Sequence, residues 1–523
     1  MHRFLELFAA SGCRAVSGRA AASCRVMVAA ALVGMLAACT LMPHYQRPAL
    51  PVPETYPTPS TAQAPATDPA RAAPGATAAA GATAAPGATA AADMGWREFF
   101  TDDKLRAVIA LALDHNRDLR VAVLDIEQSR AQFLIQRGGL FPTIDATASA
   151  DSTRTPQSVS SPGSPAVTRD YSVGIGVSAY ELDLFGRLRS LTAQARETLL
   201  ATEEARRNVQ ISLVAEVAND YLTLATDRQR LDLAEQTLRS QSESLELTRR
   251  EADIGFASDL SLREAETTVE SARADVARYS GQIAADVDAL DLVVGTPVPR
   301  ELQPVALDHE QHALASGELP AGLPADLLER RPDVLEAERT LRAANANIGA
   351  ARAAFFPSIT LTASDGTASN ALSGLFAAGS GAWTFAPQVT LPIFTGGRNW
   401  ASLTSARVAR EIDVAKYEST IQTAFREVAD ALALRVSLEQ QLTAQRALVA
   451  ASSDAYRLSD ARFRRGVDSY LNALDAQRSL YAAQQDLIGV ELSRMSNLVS
   501  LYQALGGGWL EHSAAPSVAQ AAQ

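Results

Sequence analysis

The sequence predicts a mainly α-helical protein with a transmembrane β-barrel section, built from two internal structural repeats. Three observations support this fold class. Two segments of 68 residues, from Arg187 to Ile254 and from Arg398 to Arg465, contain neither Gly nor Pro and favour very long helices. Short segments that alternate apolar and small polar residues precede each of them, as expected for β-strands. Equivalent residues also recur about 210 residues apart along the chain.

The first element is an export signal, residues 1 to 38. Four basic residues, Arg3, Arg14, Arg19 and Arg25, precede an apolar run. This run is too short to span a bilayer. The run ends in Leu36, Ala37, Ala38 and Cys39, which resembles the lipobox of bacterial lipoproteins. We therefore predict cleavage before Cys39 and a covalent lipid on it, with N-acyl and S-diacylglycerol groups. By the same resemblance, Thr40 at the next position permits transport to the outer membrane. The alternative is a soluble secreted protein cleaved after an Ala-x-Ala-like site.

Charge and cysteine content limit the function classes. The net charge is -12, and loss of the four Arg and one Glu of the signal leaves 43 basic and 58 acidic residues, or -15. Such a chain repels phosphate backbones, so nucleic acid is excluded as a partner. Cys13 and Cys24 lie in the signal, so the mature chain keeps one cysteine and has no intramolecular disulfide.

The second element is a linker, residues 39 to 95. Residues 43 to 93 are rich in Pro, Ala, Gly and Thr, which bury too little apolar surface to fold. We predict a lipidated linker here and folded structure from about Trp96.

The remaining chain contains an internal sequence repeat with two copies. Four residues recur 215 positions later: Asp118, Ala122, Ala131 and Pro142 return as Asp333, Ala337, Ala346 and Pro357. The predicted domains are a first repeat, residues 96 to 295, a connection, residues 296 to 323, a second repeat, residues 324 to 508, and a tail, residues 509 to 523.

Each repeat contains a helical hairpin. Each 68-residue segment would be about 100 Å long as a helix, and its apolar residues fall seven apart, which is coiled-coil spacing. These are Val217, Leu224, Leu231, Leu238 and Leu245, and Leu442, Val449, Tyr456 and Phe463. Gly255 and Gly466 end the long helices, and second segments of 39 residues follow, up to Gly295 and Gly506. An ordinary soluble coiled coil would explain this feature equally well.

The strands decide between these alternatives. Four segments alternate apolar with small polar residues: 142 to 150, 171 to 179, 358 to 364 and 383 to 391. Aromatic residues lie near their ends, as membrane barrels require. We predict that loops 151 to 170 and 364 to 382 join them in pairs and face outside the cell. Four strands cannot close a barrel, and open edges do not occur in lipid, so the protein must oligomerise.

No constellation for catalysis or metal binding is evident. The histidines are scattered except for His309 and His312, which have no convincing third ligand. The segment from Thr395 to Arg398 precedes a helix but lacks the Lys and spacing of a phosphate loop. The sequence therefore predicts no enzyme activity, no metal, and no cofactor other than the covalent lipid.

At this point the chain resembles the TolC-like outer-membrane factor family, in its OprM-like, NodT-type lipoprotein branch, over residues 39 to about 510. The resemblance rests on a few marks: Cys39 with Pro43, Tyr45 and Pro48; Trp96, Phe99 and Asp102; Arg330, Arg331, Pro332 and Asp333; Phe356 and Pro357; and Gly466, Leu471, Asp475, Ala476, Gln477 and Arg478. It implies a homotrimer with a 12-stranded β-barrel continued by a 12-helix periplasmic α-barrel. The implied partners are outer-membrane lipid, a periplasmic adaptor (membrane fusion) protein and an inner-membrane pump.

The resemblance also implies functional residues. Leu471, Asp475 and Arg478 would line a periplasmic gate, in which a Leu ring blocks passage and an Asp ring favours cations. The alternative is that Leu471 is coiled-coil core and Asp475 a solvated charge, since Leu260 and Glu264 occupy the matching positions of the first repeat. The hairpin turns would contact the adaptor through four residues, Gly255, Ser258, Gly466 and Ser469.

The predicted function is a lipid-anchored outer-membrane channel that extends into the periplasm and serves as the passive exit duct of a tripartite, RND-type efflux pump for drugs and other small molecules. Two alternatives stay open. One is an exit duct for type I protein secretion, and the other is a periplasmic coiled-coil scaffold or adaptor that never enters a membrane.

Overall fold

The computed structural model describes residues 40–53, 56, 94–156, 158–159, 165–306 and 329–513. The predicted signal, Cys39 and the histidine pair at 309 and 312 lie outside these residues. Helices and strands follow each other along the described chain as α1 Trp96–Phe99, α2 Asp103–His115, α3 Arg117–Gly138, β1 Asp145–Arg154, β2 Val167–Leu182, α4 Arg187–Asp253, α5 Asp259–Val294, α6 Pro332–Ala353, β3 Ser358–Ser369, a 3-10 turn Leu372–Gly374, β4 Gly381–Thr390, α7 Arg398–Arg464 and α8 Tyr470–Ala504.

The long helices are confirmed. α4 and α7 have 67 residues each and end just before the glycines that the sequence singles out. α5 and α8 have 36 and 35 residues, a little fewer than the 39 expected, because a turn precedes each of them. The seven-residue spacing also describes packing, since Leu442 is buried and Val449, Tyr456 and Phe463 are half-buried on a mostly exposed stretch of α7. Among the described residues, no helix is both long and apolar enough to cross a membrane.

The strands form one antiparallel sheet in the order β1-β2-β3-β4. They are longer than predicted, so the expected loops 151 to 170 and 364 to 382 are wrong at their ends. β1 pairs with β2 as far as Arg154 and Val167, and β3 continues to Ser369. The reason is that the ladder joins backbone groups, and polar Ser, Thr and Asp residues can continue it without an apolar side chain.

The chain divides into two compact units. The sheet unit comprises residues 1 to 48, 127 to 201 and 338 to 416, and the hairpin unit comprises residues 49 to 126, 202 to 337 and 417 to 523. The sheet unit has a small core around Ile348, Leu403 and Ala406. The hairpin unit contains the larger cores, one of which gathers α1, α2, α4, α5 and α8 around buried Trp96 and Phe100.

The segment after Cys39, which was predicted to be a linker up to about Trp96, already makes contacts with the sheet unit. The main-chain oxygens of Leu41 and Pro43 accept hydrogen bonds from Arg352 Nη1 (3.2 Å) and Asn345 Nδ2 (2.8 Å) of α6. The composition of this segment is that of a linker, but its main-chain carbonyls are free to bind helix side chains.

In the hairpin unit, Tyr56 also belongs to a core rather than to a linker. Its ring is 3% exposed and stacks on Phe425 with 4.8 Å between ring centroids. Leu50 and Val52 pack against the same cluster. An aromatic ring of this size contributes a large apolar area even in a Pro-rich segment, and the composition of the whole linker conceals it.

Candidate functional site

The two faces of the sheet differ in chemistry. Directly paired residues lie on the same face, and the pairs Ala148 with Val173 and Ala363 with Phe385 place apolar side chains of all four strands together. Trp383 continues this apolar face and is 76% exposed. The described residues of one chain therefore leave the apolar face of the sheet uncovered.

The opposite, polar face carries small or acidic residues. Ser149 pairs with Ser172, and their hydroxyls lie 2.8 Å apart. Gly174 pairs with Gly366, and a Cβ on Gly174 would meet the main-chain oxygen of Asp365 at 2.9 Å. Glycines at these positions let β2 and β3 approach closely. The polar face thus carries small, hydrophilic side chains, as the wall of an aqueous channel requires.

The hairpin turns are built on glycines. Gly255 and Gly466 have φ values of 81° and 72°, in the left-handed region that favours glycine, and no atom lies within 4 Å of the position of a Cβ. Backbone conformation, rather than close packing, is therefore the reason for both glycines. Ser258 begins α5 by accepting a hydrogen bond from Ser261 N (3.2 Å), whereas Ser469 caps α8 without such a bond.

The second turn is closed by an ion pair that the first turn lacks. Arg462 donates to both carboxylate oxygens of Asp468, at 2.6 and 3.0 Å. These hydrogen bonds hold the pKa of Asp468 below its usual value. Glu251 and Ala257 occupy the matching positions of the first turn, where the same pair cannot form. Both turns expose an apolar residue at matching positions, Phe256 and Val467.

The predicted gate residues share one exposed face of α8. Leu471 is 44% exposed, and Asp475 and Arg478 are exposed too. Ala473 and Leu474 are the buried residues on the other side of this helix turn. Leu471 is therefore not part of the core of its own chain.

Neither Asp475 nor Arg478 forms an ion pair or a side-chain hydrogen bond with any residue that the structure describes. In the first repeat, Leu260 is more exposed than Leu471, while Glu264 is half-buried. The two hairpins thus present similar but unequal surfaces beside their turns.

Just beyond the turns, α5 and α8 are joined by a polar network. Tyr481 Oη donates to Asp275 Oδ2 (3.0 Å), and Tyr279 Oη donates to Gln485 Oε1 (3.1 Å). Arg278 donates to both Asp275 (2.9 Å) and Tyr279 (3.0 Å), which connects the two bonds. Burial, and then Asp275, raise the pKa of Tyr481, so its hydroxyl stays protonated and can donate. The members of this network are spread over two repeats, so no local sequence pattern indicates it.

The Arg-Arg-Pro-Asp motif opens α6 with a buried cation. Arg331 donates to Asp333 (2.7 Å), to Glu427 (2.9 Å) and to the main-chain oxygen of Ala504 (2.7 Å). Burial alone would lower the pKa of Arg331, but its two carboxylate partners raise it. The motif therefore ties α6, α7 and the end of α8 together, which is a structural role.

A second missed cluster fastens the N-terminal segment to α6. The side chain of Glu338 is 4% exposed and accepts hydrogen bonds from Arg47 Nη2 (2.6 Å), Arg342 Nη2 (2.6 Å) and Tyr45 Oη (3.2 Å). Burial would raise the pKa of Glu338, but the two arginines outweigh it and hold the pKa below its usual value. Buried carboxylates need such partners. No local pattern in the sequence could identify partners almost 300 residues apart.

Among the described residues, no group of three or more His, Cys, Asp or Glu side chains is arranged to hold a metal ion.

Comparisons with known proteins agree with this architecture. A family model described as outer membrane efflux protein matches residues 108–296 and 323–507. The toluene efflux pump outer membrane protein TtgC of Pseudomonas putida is 53% identical over 422 residues, which cover 80% of this chain and 86% of that protein. The cation efflux system protein CusC of Escherichia coli is 41% identical over 486 residues, covering 92% and 97%. A solved membrane protein from Pseudomonas aeruginosa superposes with a TM-score of 0.81 at 42% identity, covering 90% and 98%.

Proposed function

Since the chain belongs to the outer membrane efflux protein family, we propose that three copies of it form a lipid-anchored channel that serves as the passive exit duct of a tripartite, RND-type efflux pump. Membership of this family makes the protein an outer-membrane component of efflux and not an enzyme. The number of chains, the lipid, the partners and the gate are the proposed parts.

The open edges of the sheet support the oligomer most directly. β1 and β4 each have one unpaired edge in the single chain. Unpaired edges do not occur in lipid, so β1 of one chain must pair with β4 of the next. Two chains would give eight strands, whose interior is filled by side chains, whereas three give twelve and leave room for a lumen. Three chains also bring twelve hairpin helices together.

The experiment is native mass spectrometry of the full chain in detergent, followed by conductance in planar bilayers. We expect a mass of three chains and a stable open-pore current. A folded preparation that is only monomeric or dimeric, or a trimer that does not conduct, would overturn the proposal.

The transported molecules are proposed from the relatives. TtgC is named for toluene efflux, and we propose small apolar molecules, drugs included, as the substrate class. Deletion of the gene should sensitise cells to toluene and to hydrophobic antibiotics, and unchanged growth in both would contradict this assignment.

The gate is proposed at Leu471 and Asp475, with Arg478 one turn further along α8. Their exposure in one chain is compatible with rings of three at the channel axis, and their lack of ion pairs leaves Arg478 available for a neighbouring chain. Three carboxylates at one level attract cations and repel anions.

Replacement of Leu471 by Ala together with Asp475 by Ser should raise single-channel conductance and reduce cation preference while leaving the trimer intact. The matched control is Leu260→Ala with Glu264→Ser, at the corresponding positions of α5, which should change both quantities less. Equal effects of the two double variants would exclude the gate assignment but not the channel.

The hairpin turns are proposed as the adaptor contact, through Gly255, Ser258, Gly466 and Ser469. Cysteines at Ser258 and Ser469 should cross-link to a periplasmic adaptor in cells. Cross-linking that is no stronger than from a cysteine at Ser172, on the sheet, would argue against this contact.

A further inference from the structure

Two arginines lie at the hairpin end of the apolar face. Arg154 pairs with Val167, and Ser152 pairs with Arg169, so both arginines are on the face that carries Tyr171 two residues further along β2. Diagonal neighbours of this kind have Cβ atoms roughly 7 Å apart. Two guanidinium groups can therefore reach one anion from adjacent strands.

Neither arginine is neutralised by a described residue. Arg154 and Arg169 are exposed, and neither forms an ion pair or a hydrogen bond of its side chain with any residue that the structure describes. The nearest paired carboxylates, Asp151 and Asp170, are directly opposite each other and therefore project from the polar face. At this end of the β1–β2 hairpin, the positive charges thus lie on the apolar face and the negative charges on the polar face.

The position along β2 matches the edge of a bilayer. From Leu182 to Tyr171 the strand rises about 36 Å at roughly 3.3 Å per residue. With a tilt of about 40°, typical of barrel strands, this corresponds to about 28 Å, close to the ~25 Å apolar band of outer-membrane barrels. Arg169 and Arg154 follow directly beyond Tyr171, at the level of lipid headgroups.

The other hairpin lacks this feature. The apolar face of β3 ends in Thr367 and Ser369, and its charged residue is Asp365, which pairs with Trp383. A phosphate would be attracted to one hairpin of the chain and not to the other.

We propose that Arg154 and Arg169 bind the phosphate groups of an anionic glycolipid in the outer leaflet, one site per chain. The proposal rests on the proposed barrel and its orientation. Arginine suits this role because its planar donors match phosphate oxygens in pairs, and such charge-assisted bonds are strong beside an apolar surface. The lipid's acyl chains would cover the apolar face below, which the single chain leaves open.

The test measures the lipid retained by the full chain after purification in detergent containing lipid A, a bis-phosphorylated glycolipid, by native mass spectrometry. The wild type should retain lipid A about tenfold more strongly than the dephosphorylated glycolipid. Arg154→Gln with Arg169→Gln should lose most of this preference. The control, Arg120→Gln with Arg407→Gln, removes two exposed arginines from helices and should keep it, as should Arg154→Lys with Arg169→Lys in part.

Equal retention of the two glycolipids by the wild type, which needs no variant to fold, would overturn the site. So would unchanged retention in the Arg154→Gln, Arg169→Gln variant, or an equal loss in the helix control. Conductance of the same preparations separates this inference from the proposed function: a conducting trimer that retains lipid regardless of the arginines refutes only the lipid site, whereas a preparation without conducting trimers refutes the channel.

Discussion

Two neighbouring carboxylates, Asp227 of α4 and Asp286 of α5, repel each other inside the hairpin unit. Asp227 is buried and pairs with Arg230 at 2.8 Å. Asp286 of α5 faces it, and burial, followed by the charge of Asp227 and then Asp220, raises the pKa of Asp286 to about 6. A carboxyl group that holds its proton more tightly in the folded state makes stability depend on pH.

The predicted consequence concerns Asp286→Asn. Below about pH 3, Asp286 is protonated in both the folded and the unfolded chain and has no effect on stability. As the pH rises from the usual value of 3.8 to about 6, the unfolded chain releases its proton first, so the wild type loses stability. The variant should therefore unfold at a higher temperature than the wild type at pH 7.5, and the difference should vanish at about pH 3. Asp288→Asn, an exposed neighbour, is the control, and a pH-independent difference would contradict the assignment.

Gly366 is a second residue whose role is defined by its neighbours. A Cβ at this position would clash with the main chain of Val173 and Gly174 on β2. Backbone cannot rotate away as a side chain can, so the strands would have to separate.

Gly366→Ala should therefore lower the heat-resistant, folded fraction seen in unboiled gel samples, with a cost of about 1–3 kcal/mol. Gly381→Ala is the matched control, because no atom lies within 4 Å of its Cβ position at the start of β4. If both variants fold to the same extent as the wild type, the close approach of β2 and β3 is not limiting.

Among the helices, α5 and α8 hold each other in place through side-chain hydrogen bonds. Each repeat supplies one tyrosine hydroxyl and one acceptor, so the hydrogen bonds of Tyr279 and Tyr481 fix the level of the two helices against each other. Apolar contacts around Ala265, Tyr470 and Leu474 lie nearer the turns. The beginning of α8, which carries the predicted gate residues, is therefore positioned by α5.

Tyr279→Phe with Tyr481→Phe removes both hydroxyls and keeps both rings. Each lost bond should cost about 0.5–1.5 kcal/mol, and the thermal unfolding midpoint should fall by a few degrees. Tyr456→Phe is the control, since its hydroxyl has no hydrogen bond among the described residues. A midpoint no lower than that of the control would mean that the network contributes nothing to stability.

At the scale of the whole molecule, the N-terminal segment connects the predicted lipid to folded structure. Cys39 precedes Thr40, and the oxygen of Leu41 is already bonded to α6. The described chain thus meets α6 two residues after Cys39, and the Glu338 cluster fixes the segment that follows. The lipid and a closed barrel would hold the chain in the membrane independently of each other, so loss of the lipid would leave the barrel inserted.

Mass spectrometry of the mature protein should give Cys39, with its lipid, as the first residue. Cys39→Ser should abolish the lipid but retain part of the efflux activity, because the proposed trimeric barrel would still hold the chain in the membrane. Adding Glu338→Gln should reduce activity further by releasing the segment, whereas adding Glu411→Gln, at an exposed position of α7, should not. A different first residue, a free Cys39, or complete loss of activity in Cys39→Ser with normal trimer levels would contradict this view.

The sequence by itself determined the periodic features of this protein. The glycine-free segments from Arg187 and Arg398, the alternation of the four strands and the glycines at 255 and 466 are local signals, since helix and strand periods of 3.6 and 2 appear directly in the order of residues. The family resemblance rests on the same local motifs, and it is confirmed. The gate, the adaptor contact at the hairpin turns and the lipidation of Cys39 stay predictions. The function of these residues depends on other chains or on covalent chemistry at Cys39.

Contacts between distant residues, in contrast, depend on the folded arrangement of the whole chain. Glu338 binds Arg47, Tyr481 binds Asp275, and Gly366 faces Gly174, and each of these pairs joins segments that the chain separates by 190 or more residues. The folded arrangement also placed Arg154 and Arg169 on one face, through a strand register that a shift of one residue would reverse. The physical reason is that register and packing minimise the free energy of the whole fold, so a contact between distant residues leaves no periodic trace in the sequence around either of them.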